Sequence, residues 1–150
     1  MYKVQLDLSD KTVAIIGGGK VAYRKYKGLT DCKHIKIISP KFIPEFLGLD
    51  SNKTTLYEKV YEKSDIDDAD LIITATDDKN INDQVVNDAS GRQLVNHTGD
   101  RSQSNFYNMK IVECKNFTIS VSTDGESCKK SQDFGKWLEQ MIQKYEEEVR

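Results

Sequence analysis

Every position from Thr12 to Ile16 is apolar or β-branched, the pattern of a strand buried on both faces, and the run stops abruptly at Gly17-Gly18-Gly19. Ahead of it, a short alternating segment sets Val4, Leu6 and Leu8 on one face. From Lys20 to Leu29 no proline intervenes, and Val21, Ala22 and Leu29 stand in a basic background that tolerates a helix. Strand, glycine turn and helix are followed by a second short strand, Ile35 to Ile38, closed by Ser39-Pro40, and by a helical turn opened by Pro44 around Phe46 and Leu47. Thr55 to Tyr61 alternates as an edge strand does, whereas Leu71 to Ala75 reads as a central one, with the acidic stretch Asp65 to Asp70 as the linker between them. Ile81, Val85, Val86 and Ala89 are spaced as a helix face, with Gly91 as its expected stop before a strand over Gln93 to Asn96. Alternating strands and helices predict a parallel sheet with helices on both faces.

The pattern changes at Tyr107. Lys110 to Glu113 and Phe117 to Ser122 read as two strands of a hairpin joined through Lys115-Asn116, so a region 1–106 is followed by a small α+β region, 107–150. The last element sets Phe134, Trp137, Leu138, Met141, Ile142, Tyr145 and Val149 on one helical face, an apolar stripe that needs a cover. It ends in Glu146-Glu147-Glu148-Val149-Arg150 without a capping glycine, and acidic groups sit poorly against the negative end of a helix dipole, so the helix is expected to continue.

Charge narrows the chemistry. In 150 residues, 22 Lys and Arg face 24 Asp and Glu, a net charge of −2, which removes the basic footprint of a nucleic-acid binder. The longest apolar run, Val13 to Ile16, is far short of a membrane span, and Met1-Tyr2-Lys3-Val4 opens no signal peptide, so a cytoplasmic protein is expected. Cys32, Cys114 and Cys128 are scattered without a CxxC pair and read as reduced thiols; with only His34 and His97 besides, no metal site is expected.

Gly17-x-Gly19-x-x-Ala22, placed between a buried strand and a helix, fits the dinucleotide fingerprint with Ala at its third small position. Its glycines permit a tight turn and a close approach of a pyrophosphate, and the helix start carrying Lys20 and Val21 turns N–H groups toward it. The acidic residue expected about 20 positions on, to hold the ribose 2′-hydroxyl, is missing; Ser39-Pro40-Lys41 stands there. Ser39 can bond a ribose hydroxyl and Lys41 can pair with a 2′-phosphate, which leaves NAD and NADP both open. Thr76 and Asp77 lie at the carboxyl end of a central strand, where such folds bind ligands, and Asp77-Asp78 equally fits a helix N-cap. Asp100, after Asn96-His97-Thr98-Gly99, is expected at the same edge.

The ordered set Gly17-Gly18-Gly19-Lys20-Val21-Ala22 with Arg24-Lys25, Ser39-Pro40 with Phe42-Ile43-Pro44-Glu45-Phe46, Ala75-Thr76-Asp77-Asp78 with Asn82, Val95-Asn96 leading to Asp100, and Ser122-Thr123-Asp124-Gly125 resembles the siroheme synthase N-terminal family. That resemblance implies a Rossmann-like doubly wound parallel sheet followed by a small α+β dimerisation region, and NAD-dependent oxidation of precorrin-2 to sirohydrochlorin by a homodimer. It implies a catalytic aspartate at Asp100, although some relatives carry theirs where Gly99 stands. Contacts to the tetrapyrrole are expected from His97, Arg101, Ser122 and Thr123. His97 stands where the family has a small apolar residue, and members usually run longer than this chain. A dehydrogenase that also inserts iron, or a non-catalytic NAD-sensing domain, are the alternatives; the second usually keeps the ribose-binding acid absent here.

Overall fold

Val13 and Ile15 pack to one side of a five-stranded sheet, and Ala14 and Ile16 to the other, each at most 1% exposed. A strand with both faces covered has no room for polar alternation, which is why Thr12–Ile16 carries none. This is the central strand, β1, in a computed structural model that describes residues 1–49 and 52–148, with side chains as far as Tyr145. By internal contacts the chain forms two units, Val4–Phe106 and Tyr107–Arg150 together with Met1–Lys3, so the first three residues group with the second unit.

In the first unit, β1 is followed by α1 (Lys20–Tyr26), β2 (His34–Ser39), β3 (Thr54–Glu58), β4 (Leu71–Thr74), α2 (Lys79–Asp88) and β5 (Leu94–His97). The strands lie parallel in the order β3-β2-β1-β4-β5. One face is covered by α1, through Ala22, Tyr23 and Tyr26, and by a 3-10 turn over Pro44–Gly48 whose Phe46 is 1% exposed and meets Tyr23 edge-on at 5.3 Å between centroids. The other face is covered by Ile81 and Val85 of α2, by Ile66 of a 3-10 turn over Lys63–Ile66, and by Tyr61, whose hydroxyl donates to Asp88 at 3.1 Å. Helices on both faces make the sheet doubly wound.

Several boundaries differ from the expected ones, each for a local reason. Helix α1 stops at Tyr26 rather than Leu29, because Lys27, Gly28 and Leu29 close it with turn bonds to Tyr23, Lys25 and Tyr26 while Leu29 packs into the core. Helix α2 ends at Asp88 with Ala89 as its C-cap, not at Gly91; the buried Gln93 accepts from Ser90 N and donates to the carbonyls of Ile66 and Ala69, which holds it in the turn before β5. The acidic linker is structured by its own acids. Glu62 and Asp65 form a reciprocal capping box, and Asp68 pairs with the nearly buried Lys36. Val4 and Leu6 form no strand and are about half exposed; only Leu8 reaches the core.

In the second unit, β6 (Lys110–Glu113) pairs antiparallel with β7 (Thr118–Val121), and α3 (Cys128–Glu148) packs on β6 around Val112. Gly135 sits inside α3 because the Lys110 side chain crosses it: a Cβ there would lie 2.6 Å from Lys110 Cγ. Beyond that crossing the Lys110 ammonium reaches Glu139 at 2.6 Å. On the stripe, Phe134 and Trp137 are each 51% exposed and Tyr145 60%, while Val149 lies outside the described residues.

The turn after β1 is the tightest point. Gly17 has φ +130°, and a Cβ on it would overlap the Ala75 carbonyl. Gly17→Ala is therefore expected to lose at least about 1–3 kcal/mol from backbone strain alone, read as a lowered urea midpoint at unchanged m-value.

Candidate functional site

β1 lies where the strand order reverses, and the strand exits on either side of it are tied together. Gly17 N donates to Ile38 O and Ala75 N donates to Ile16 O, both at 2.8 Å. Beyond these bonds opens a cleft of about 690 Å³, within the range of small-molecule and cofactor sites. Three loops line it: the glycine turn with Lys20 and Val21, the segment Ser39 to Ile43, and Ala75 to Asp78. Gly17, Gly19, Lys20, Val21, Ser39, Pro40, Lys41, Thr76 and Asp77 all face it.

The glycines there serve different ends. Gly17 and Gly18 are required by the fold itself: a Cβ on Gly18 would lie 2.8 Å from Ser39 Oγ and 2.9 Å from Phe42, and closer still to the Lys41 carbonyl. Gly19 has an ordinary φ of −94° and nothing within 4 Å of where a Cβ would stand. Nothing in the protein explains a glycine at that position, whereas a pyrophosphate resting on bare backbone does. The residues present thus fit a dinucleotide.

Around this cradle the side chains are held by local bonds. Ser39 Oγ donates to Lys41 O at 2.7 Å, so its proton is used inside its own loop and a ligand meets only an acceptor. Thr76 is pinned by Asn82, which is 4% exposed: Asn82 Oδ1 accepts from Thr76 N at 3.1 Å and Asn82 Nδ2 donates to Thr76 O at 2.9 Å. Asp78 alone is the N-cap of α2, accepting from Asn80 N at 2.8 Å, and Asp77 is left exposed at the rim. Sequence reading passed over Gly18, an unspecified position in the fingerprint, and Val60 and Tyr61, which join the cleft wall from beyond β3 and carry no motif.

Asp100 does not line the cleft. It follows β5 at the same sheet edge, where its carboxylate accepts from Ser102 N at 2.9 Å, Ser102 Oγ at 2.7 Å and Gln103 Nε2 at 3.2 Å, capping a 3-10 turn over Arg101–Gln103. Those bonds to Ser102 and Gln103 hold its pKa below the ordinary carboxylate value, so it stays ionised. Its charge helps raise the pKa of Lys79, the residue next to the cleft's Asp78, after the larger effect of Asp83.

His97 is a hydrogen-bonded histidine within its loop. Its side chain is 1% exposed and both ring nitrogens are engaged inside the protein. Arg101 is exposed on the turn outside the cleft. Ser122 and Thr123 belong to the second unit, where their hydroxyls organise the turn into α3: Ser122 Oγ accepts from Asp124 N and Thr123 Oγ1 from Ser127 N, each at 3.0 Å. Among the described residues no three His, Cys, Asp or Glu gather as metal ligands, and no helix is long and apolar enough to cross a membrane.

Residues 4–109 match the family described as "Putative NAD(P)-binding". A precorrin-2 dehydrogenase of Bacillus subtilis (strain 168) is 34% identical over 144 residues, covering 95% of this chain and 89% of the relative. A siroheme synthase of Pseudoalteromonas translucida (strain TAC 125) is 33% identical over 121 residues, 79% of this chain but 26% of that longer protein. Among solved structures, SirC, a precorrin-2 dehydrogenase, superposes with a TM-score of 0.84 at 27% identity, over 95% of this chain and 74% of that one.

Gly19 offers a clean probe of the cleft. Gly19→Val is expected to keep its stability within about 1 kcal/mol, because the backbone there is one any residue adopts, while weakening dinucleotide binding about tenfold or more by calorimetry. Unchanged affinity in the folded variant would move the binding site elsewhere.

Proposed function

The chain belongs to the precorrin-2 dehydrogenase family, and from that premise we propose that the glycine-lined cleft takes NAD while Asp100 serves the macrocycle bound beside it. The protein is a nicotinamide-dependent oxidoreductase that oxidises precorrin-2 in siroheme synthesis. The bare, unobstructed backbone at Gly19 is the observation that carries the assignment of the cofactor site. A match over nearly the whole chain, second unit included, favours the enzyme over a nucleotide-sensing domain.

The reaction removes two electrons and two protons from the substrate: a hydride leaves from one carbon and a proton is released as a new double bond extends the conjugation. Bound at the cradle, the nicotinamide supplies the hydride acceptor. The protein's part is orientation, exclusion of water and management of the proton. With its two carboxylate oxygens fixed by Ser102 and Gln103, Asp100 offers a positioned negative charge whose lowered pKa favours orienting the substrate and makes it a weak base. NAD rather than NADP follows from the family resemblance; Lys41, beside the end of β2, is the lysine that would answer to a 2′-phosphate.

We place the enzyme in the cytoplasm, consistent with three cysteines that no disulfide joins. We further propose a homodimer made through residues 107–150. The half-exposed Phe134, Trp137, Met141 and Tyr145, spaced along one face of α3, form the kind of apolar surface that a subunit interface covers. Light scattering is expected to give twice the chain mass at micromolar concentration, with Trp137→Glu shifting it toward the monomer; a wild-type monomer throughout that range would refute the interface.

Asp100→Asn tests the catalytic assignment with NAD and with NADP. NAD binding is expected to be retained while kcat falls about 10²–10⁴-fold if the carboxylate takes the proton. A smaller loss with a raised KM marks a role limited to orientation. Full activity would leave Asp100 as the cap of its turn and nothing more.

A further inference from the structure

Two backbone N–H groups in the Asp100 loop point at one atom. Gly99 N lies 3.1 Å and Asp100 N 2.8 Å from Nδ1 of His97, a ring whose side chain is 1% exposed. On its other edge, His97 Nε2 is 3.2 Å from Oδ1 of Asp83, a residue of α2 whose carboxylate also pairs with Lys79. Asp83 Oδ1 further accepts from Gln103 Nε2 at 2.8 Å, and that same amide nitrogen lies 3.2 Å from Asp100 Oδ2. The loop is thereby closed on itself: ring to backbone on one side of Asp100, amide to carboxylate on the other, with Asp83 joining the two.

We propose that His97 is a positioning residue for the reaction: its neutral ring, with the proton held on Nε2 by Asp83, presents Nδ1 as the common acceptor that fixes the backbone of Gly99 and Asp100. Donors on both N–H groups require a lone pair at Nδ1, so the ring must be the Nε2–H tautomer. In this chain an apolar side chain at position 97 would leave the N–H groups of Gly99 and Asp100 without this acceptor, so relatives with a small apolar residue there hold the loop by other bonds. The fit is tight. A Cβ at position 99 would come to 3.3 Å from the ring's Cε1, so the ring is the surface on which Gly99 rests. The proposal rests on Asp100 being the carboxylate that serves the substrate, since what His97 fixes is the height and direction of that residue.

Three substitutions separate an acceptor from a filler. His97→Asn can place its amide oxygen near the position of Nδ1 and keeps the acceptor while losing the bond to Asp83. His97→Gln can keep a donor toward Asp83 and loses the acceptor. His97→Phe keeps the ring volume and loses both. The expected order of kcat is Asn, within about tenfold of wild type, above Gln and Phe, each about 10²-fold down, with NAD affinity unchanged in all three. If packing were the role, Phe would retain activity and Asn would lose it; that order, or equal losses in all three, overturns the proposal. Nitrogen-15 spectroscopy of the wild-type protein gives a second readout independent of turnover and of any variant's folding. Nδ1 is expected to be unprotonated, with slowed exchange of the Gly99 and Asp100 amides; a proton on Nδ1 refutes the assignment. Asp100→Asn, measured alongside, keeps the two readings apart: full activity there removes the role of Asp100, whereas an inactive Asp100→Asn with the wrong order at position 97 removes only that of His97.

Discussion

The bond from Gly17 N to Ile38 O and the bond from Ala75 N to Ile16 O hold three strand exits against one another at the centre of the sheet, and the site exists because of that closeness. With the Ala75 carbonyl lying against the Gly17 Cα, no side chain fits between them, and the chain can leave β1 only through a positive φ. Once the turn is forced into that path, Gly18 is pressed against the Ser39–Phe42 loop and Gly19 is carried out over the cleft, with nothing within 4 Å of where its Cβ would stand. One crowded glycine therefore sets the position of an uncrowded one. The crowding is structural and the emptiness leaves bare backbone facing the cleft.

How much of this could be read in the sequence depended on how local its cause is. β1 and β4 were legible because burial on both faces leaves no choice of residue along Val13–Ile16 or Leu71–Ile73. The parallel order followed from alternation of strands and helices, and the nine positions that line the cleft from glycine spacing and from the rule that ligands bind at strand carboxyl ends. Helix ends were less legible, since they are decided by partners distant in sequence: Gln93 reaches back to Ile66 and Ala69, and so fixes a turn that Gly91 alone would have marked two residues late.

Acidic residues misled in a consistent way. A run such as Asp65 to Asp70 looks like solvated linker when only composition is considered, yet Asp65 caps a turn and Asp68 pairs with a lysine that is almost buried. The partners of His97 were illegible for the opposite reason. Its neighbours in space, Asp83 and the two N–H groups, engage both nitrogens, and no spacing rule links position 97 to position 83.

Asn82 and Asp83 are consecutive residues of α2. Asn82 grips Thr76 on the cofactor side, and Asp83 grips His97 and Gln103 on the side of Asp100. Adjacent α-carbons across a trans peptide are about 3.8 Å apart whatever the rest of the molecule does, so the offset between the two loops is gauged by a single covalent link. For protein engineering this divides the site into exchangeable and fixed parts. In the Ser39–Ile43 loop, which belongs to neither grip, only the exposed Pro40 and Lys41 are open to exchange, since Ser39, Phe42 and Ile43 are packed, whereas a one-residue insertion or deletion between Thr76 and Asn82 would put the Thr76 loop out of step with the helix that grips it.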